Sequence, residues 1–253
     1  MLPALLLALW VGISGVQAKS GPRKEIKKWT AKGLDDYEKG RKYDALTAFE
    51  YVLAMDSTSK QALYYRGMIR WNYRDTLGAM RDFACLTRSY PKWAVAHQAL
   101  GSVLAESGHY YEASVVLKEA SFLDPYDAST WYHLGLCAYR MRDLDSAAMH
   151  YQMALGLDSV HTGALTGIGW IYAQQGKNEL AASVAERALR ADQKLHPAWY
   201  LKAMAVADDD PAFALLCIEK AIAIYPAKAY TVYKQALQSK IRAKAPLYGK
   251  IGR

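Results

Sequence analysis

The chain has 253 residues, 52% hydrophobic, 22% charged and 12% aromatic, a balance that excludes a disordered or collagen-like chain. Lys and Arg outnumber Asp and Glu by 32 to 24. The excess sits at the ends: residues 19–28 hold five bases and one acid, residues 240–253 hold five bases and no acid, and the body between them carries −1. A near-neutral body argues against nucleic-acid binding along its length, while the basic ends suit a weak contact with an anionic membrane surface.

Residues 1–18 are apolar and uncharged and end in small residues at Val16 and Ala18, the pattern of an export signal cleaved after Ala18. The bases follow the apolar run, which is the charge order of an uncleaved anchor over residues 2–18. That run is interrupted by Pro3, Gly12, Ser14, Gly15 and Gln17 and falls short of the ~20 apolar residues that span a bilayer. The expectation is an exported protein, periplasmic or secreted, with the anchored form as the alternative. Residues 19–25 read as a basic linker. Cys85, Cys137 and Cys217 are odd in number, widely spaced and set in helical patterns. They read as free core thiols, an unusual choice for an oxidising compartment.

From there a period of 34 governs the chain. Glycine recurs at Gly33, Gly67, Gly101, Gly135 and Gly169, and Ala203 stands next in phase. Twelve residues after each glycine comes an alanine: Ala45, Ala79, Ala113, Ala147 and Ala181. Large residues sit four before the glycine, as at Trp131 and Trp199, and sixteen after it, at Phe49, Phe83, Leu117 and Tyr151. The spacing predicts two antiparallel helices per period, whose backbones approach at the glycine and alanine while bulky neighbours fill the remaining volume. Gly40, Gly108 and Gly176 mark turns between the helices, and Pro91, Pro125 and Pro226 end second helices.

This arrangement resembles the tetratricopeptide repeat family, most clearly at Trp131, Leu134, Gly135, Ala147, Tyr151 and Ala154. The resemblance implies an all-α fold, a right-handed superhelical solenoid of about six helix-turn-helix repeats over residues 26–228. Repeat six is shortened, and its turn reads Asp208-Asp-Asp-Pro211. The aspartates lack the ligand spacing of a calcium loop and read as a cap on a helix opening at Pro211. Residues 229–243 then form an amphipathic capping helix with Tyr230, Tyr233, Leu237 and Ile241 on one face, followed by a basic tail, 244–253.

First helices line the concave side of such a solenoid. Their free stripe lies three before, one after and four after each glycine. Seven of its eighteen positions are aromatic: Tyr37, Tyr64, Trp71, Tyr132, Tyr139, Trp170 and Tyr200. Two readings remain open. The rings fill space between tightly curved repeats, or they line a groove for a protein or peptide segment, with a stacked polysaccharide as the alternative ligand. The basic clamp by which chaperone-binding members of the family hold a terminal carboxylate is not reproduced at Thr30, Leu34 and Tyr64. In the first two repeats the core-facing stripe is charged, with Lys32 and Asp36, then Arg66 and Arg70. Lys32 pairs with Asp36 at i, i+4, and Asp36 is placed to meet Arg66 or Arg70. The sharper option is an anion contact made by both arginines.

Nothing points to catalysis or a cofactor. The six histidines lack metal-ligand spacing, and Gly167-Ile-Gly169 lies inside a helical pattern, where it cannot cradle phosphate. The sequence therefore reads as a non-enzymatic interaction scaffold without cofactors or metal. The alternatives are a module of envelope polysaccharide export and a membrane-anchored cytosolic adaptor.

Overall fold

A computed structural model describes residues 22–244, all of whose regular elements are helices. The leader and all of the tail after Lys244 lie outside the described residues. The chain divides into two compact units, one ending at Pro91 and one starting at Lys92.

The first unit holds two helix pairs, α1 (Pro22–Glu38) with α2 (Lys42–Met55), and α3 (Lys60–Asn72) with α4 (Thr76–Ser89). Helix α1 starts inside the stretch read as a linker, with Pro22 at its first position, where the missing N–H has no intrahelical partner to lose. The second unit holds α5 (Ala94–Glu106), α6 (Tyr110–Leu123), α7 (Ala128–Arg140), α8 (Leu144–Leu157), α9 (Thr162–Gln174), α10 (Asn178–Ala191), α11 (His196–Val206), α12 (Pro211–Ile224) and α13 (Lys228–Lys244). Each odd-numbered helix from α5 to α11 packs against the even-numbered helix that follows it, and α13 packs on α12.

The periodic glycine acts as the spacing predicts. A Cβ on Gly33, Gly67 or Gly135 would lie 2.6–2.7 Å from the ring of Phe49, Phe83 or Tyr151, and one on Gly101 would lie 2.4 Å from Leu117. Each contact joins residues sixteen apart, so the side chain of the second helix rests on bare backbone of the first. At Gly169 the position sixteen later is Ala185, and the vacated volume is filled by Leu201 and Val184 instead, 2.3 and 2.8 Å from the added atom. Alanines twelve residues after the glycines are fully buried, completing the close approach.

The turns are equally regular. Gly40, Gly108 and Gly176 all have positive φ, and Arg74 and Arg142 hold the same left-handed conformation at φ 65° and 68° in the intervening repeats. Aspartate side chains cap several second helices: Asp75 accepts from Gly78 N–H at 2.9 Å, and Asp143 from Ser146 N–H at 3.1 Å. In the shortened repeat Asp210 accepts from Phe213 N–H at 2.9 Å, ahead of Pro211 in the first turn of α12. All three cysteines are free, with Cys137 and Cys217 buried. Tyr230 and Leu237 bury the inner face of α13, and Lys234 ties it to Glu219 of α12 at 2.8 Å.

Candidate partner-binding surface

Within the second unit, α5, α7, α9 and α11 touch one another in succession, whereas α6, α8 and α10 are held apart by the first helices between them. Helices that touch lie on the inside of a curve, so the first-helix row is the inner side of this unit. Its stripe positions run from Gln98 to Ala207 without a charged side chain. Tyr132, Tyr139, Trp170 and Tyr200 are all half-buried there.

The rings are built into the joints between successive repeats. Tyr132 lies over bare backbone at Gly163 of α9, where a Cβ would come within 2.7 Å of its ring, and packs on His161 with centroids 4.9 Å apart. Gln174 of α9 donates to the hydroxyl of Tyr139 at 2.5 Å. Trp170 meets Tyr200 at 5.4 Å, and Tyr200 meets Tyr230 and Tyr233 of α13 at 4.7 and 5.3 Å. Burial pushes the phenols of Tyr132 and Tyr200 above their ordinary value and that of Tyr233 up to about 12. These tyrosines stay neutral hydrogen-bond donors throughout the physiological range. Space filling between repeats and exposure of a ring face thus occur in the same side chains. Gln174 and Tyr233 complete the surface and lie off the sequence stripe. Gln174 is five residues after its glycine, one step beyond the last stripe position.

In the first unit Tyr37, Tyr64 and Trp71 are half-buried as well. Tyr37 packs edge-on against Tyr65 at 4.9 Å, Tyr64 against Tyr65 at 5.3 Å, and the Lys42 ammonium sits 3.2 Å from the Tyr37 ring centre. Tyr65, off the stripe, is the hub of this cluster.

The charged stripe of this unit departs from expectation. Asp36 is buried and held by Lys32 at 2.7 Å and by Arg41. It does not meet Arg66 or Arg70, because Arg41, just past the turn, reaches back to it first. Hydrogen bonds from Lys32 and Arg41 hold its carboxyl below the usual carboxylate range. Arg66 and Arg70 instead converge on the buried carboxylate of Asp82. Arg66 is bidentate at 3.0 and 2.6 Å, and Arg70 donates at 3.0 Å. Their anion is internal, so the pair does not form an open anion site.

One serine–histidine contact resembles catalytic geometry. Ser102 Oγ lies 3.2 Å from Nδ1 of His133, but the same nitrogen is 2.8 Å from the carbonyl of Ser129, which only accepts. Nδ1 therefore carries the proton and offers the serine no base. Burial also lowers the pKa of His133. Among the described residues no cluster of His, Cys, Asp or Glu is placed to hold a metal ion, and no helix is long and apolar enough to cross a membrane.

Residues 99–162 and 141–196 match the tetratricopeptide repeat family model. The chain is 26% identical over 104 residues to the tetratricopeptide repeat-containing protein trd-1 of Caenorhabditis elegans, a match covering 41% of this chain and 13% of that protein. The crystal structure of the APC/C hetero-tetramer Cut9–Hcn1 superposes with a TM-score of 0.76 at 17% identity, over 84% of this chain and 42% of that one. YrrB, described as a TPR protein with an unusual peptide-binding site, superposes at 0.54 with 19% identity, over 75% of this chain and 98% of that one. The chain thus spans about an eighth of the curated relative and less than half of the Cut9–Hcn1 chain, and the structural likenesses carry the fold alone.

Proposed function

Because the chain is a tetratricopeptide repeat protein, a fold that serves protein–protein interaction, we propose that the inner face of its second unit binds a partner's peptide segment through apolar and aromatic side chains. The observation that carries this reading is the row Tyr139, Trp170 and Tyr200. These half-exposed rings on three successive first helices lie on a stripe with no charged residue. Large rigid rings with a polar edge give contact area at low entropic cost. An uncharged stripe favours a segment that is itself uncharged where it touches. The peptide-binding site named for YrrB is consistent with this use of the fold. Export to the periplasm, expected from the leader, belongs to the same proposal, and a mature chain starting at Lys19 on N-terminal sequencing supports it.

The test is affinity capture from the native compartment with wild type and a Tyr139→Ala, Trp170→Ala variant, with folding checked by circular dichroism. A protein prey lost with the variant supports the proposal. Loss of glycan retention in its place transfers the site to a carbohydrate ligand. Retention unchanged by a folded variant overturns the groove.

A further inference from the structure

The outward face of the second unit follows the same 34-residue register, and its chemistry changes from helix to helix. On α6, Val115 and Phe122 are 54% and 81% exposed with exposed Lys118 and Glu119 between them, and Tyr126 in the turn after it, 81% exposed, borders a hollow with Val95 and Gln98 of α5. Thirty-four residues later, on α8 and its turn, stand Met149, Gly156 and Val160, with Met153 between them, and both methionines are about half exposed. Another 34 residues on, the positions after Met153, Gly156 and Val160 are Arg187, Arg190 and Lys194, all exposed. An apolar ridge on α8, flanked by Val115 and Phe122 of α6, thus precedes a column of bases in the repeat register.

Isolated exposed hydrophobics need no explanation, but a contiguous patch does. At about 150–250 Å² per aromatic side chain, Phe122 alone presents roughly 150 Å² of ring to water. Since α6, α8 and α10 are spaced apart by the first helices beneath, α8 presents its outward side as a separate ridge. Flexible thioethers at Met149 and Met153 let that ridge adapt to a guest. Arg187 leans toward it, donating to the Ser159 carbonyl just past the end of α8 at 3.1 Å, while Arg190 borders a hollow with Trp199 and Lys220. Neither Arg187 nor Arg190 has a carboxylate partner among the described ion pairs, and the neighbouring Glu186 is engaged by Lys202 at 3.0 Å.

We propose that this outer face is a second docking surface, distinct from the inner groove, which takes an amphipathic helix with an apolar stripe and an acidic flank. The stripe lies on Met149, Met153 and Phe122 of α6, and the carboxylates lie over Arg187, Arg190 and Lys194. A helix is narrow enough to reach the bases alone. A flat anionic bilayer fits worse, because its headgroups would also meet Asp145 and Glu179, exposed 34 residues apart at the starts of α8 and α10.

The probe is a synthetic amphipathic helical peptide with leucines at i, i+3, i+4 and i+7 and glutamates on one flank, with a twin carrying lysine for each glutamate. Fluorescence anisotropy with the full chain reads binding. The glutamate peptide should bind about tenfold tighter than its twin and lose about tenfold in Arg187→Glu, Arg190→Glu and in Met153→Asp. All three residues are exposed, so folding is preserved. Trp170→Ala, on the inner face, should leave this binding unchanged. The proposal fails if both peptides bind alike or not at all, if the arginine variant binds as wild type does, or if Trp170→Ala abolishes binding. Without peptide binding, concentration-dependent mass reversed by Met153→Asp assigns the face to a second copy. Co-sedimentation with anionic vesicles reversed by the arginine variant assigns it to a membrane.

Discussion

The two units solve one packing problem with opposite chemistry. In the first, Arg66, Arg70 and Asp82 form an ion triad where first and second helix meet; 34 residues later in the second unit the same positions hold Leu100, Leu104 and Val116. Repeat one has its own version, with Asp36 held between Lys32 and Arg41. The backbone is indifferent to the exchange, since Gly67 against Phe83 and Gly101 against Leu117 keep the same close approach sixteen residues apart. The glycine contact is thus the invariant of the repeat, and the stripe beside it tolerates charge wherever each buried carboxylate finds two cations.

The largest effect should follow from breaking that condition. Asp82 is buried, and Arg66 and Arg70 are only about a fifth exposed. Asp82→Ala leaves two half-buried guanidiniums facing each other, and we expect a loss of about 3–5 kcal/mol in urea unfolding of the first unit. The triple exchange Arg66→Leu, Arg70→Leu, Asp82→Val imports the chemistry of the next repeat. It should be near neutral or stabilising, because a well-packed apolar replacement avoids desolvating three charges. A triple variant as unstable as the single one would show that the ionic layer is specific to its unit and not interchangeable.

Next in size is the invariant itself. Gly135→Ala forces a methyl to 2.6 Å from the Tyr151 ring, which is fully packed and has no room to retreat. The expected cost is about 1–3 kcal/mol after partial relaxation, despite the gain in helix propensity. Gly67→Ala should cost a similar amount against Phe83, although its neighbours are ionic. A clear difference between the two would tie the glycine contact to the chemistry of its stripe.

What the sequence made legible follows this division. The period, the glycine–ring contacts, the turn glycines and the cap at Asp210 were readable because each depends on residues at fixed spacing along one chain. The ion triad was only half readable. Arg66 and Arg70 stand out in the sequence, but the nearest acid on a core-facing stripe is Asp36, which is not their actual partner. The telling sign was Asp82 itself, an acid fifteen residues after its glycine, where the other repeats carry Ala48, Val116, His150 and Val184. The aromatic stripe was readable in position but not in role. Whether a ring fills a joint or faces a ligand depends on what lies beneath it, such as Gly163 beneath Tyr132.

Acid should also separate the units. All six histidines lie after Pro91, and burial lowers the pKa of His133, His150 and His196 below their ordinary value of 6.5. A histidine with a depressed folded-state pKa binds more protons when unfolded, so stability falls as pH drops through about 6.5 toward the folded value. In the first unit the lowered groups are Asp35 and Asp36, whose ordinary value is 3.8. Their contribution is present above that value and lost only as pH falls below it. Thermal melts between pH 7.5 and 5 should therefore lower the transition of the second unit by a few degrees and leave that of the first unchanged. A His133→Asn variant should flatten the slope.

The smallest effect bears on the turns, where the units do not differ. Arg74 in the first unit and Arg142 in the second adopt the left-handed conformation that Gly40, Gly108 and Gly176 adopt at the same register position. Their amides keep the bond of the glycine turns, Arg74 to the Trp71 carbonyl at 3.0 Å and Arg142 to that of Tyr139 at 3.1 Å, as Gly108 does to Ala105. An L-residue in this conformation costs about 1–2 kcal/mol through its Cβ, part of which glycine returns as greater freedom of the unfolded chain. Arg74→Gly and Arg142→Gly should each stabilise the protein by about 0.5–1 kcal/mol. Equal gains confine the difference between the units to the core-facing stripe. An unequal gain would mean that one of these arginines contributes through its side chain, because the backbone requirement is the same at both turns.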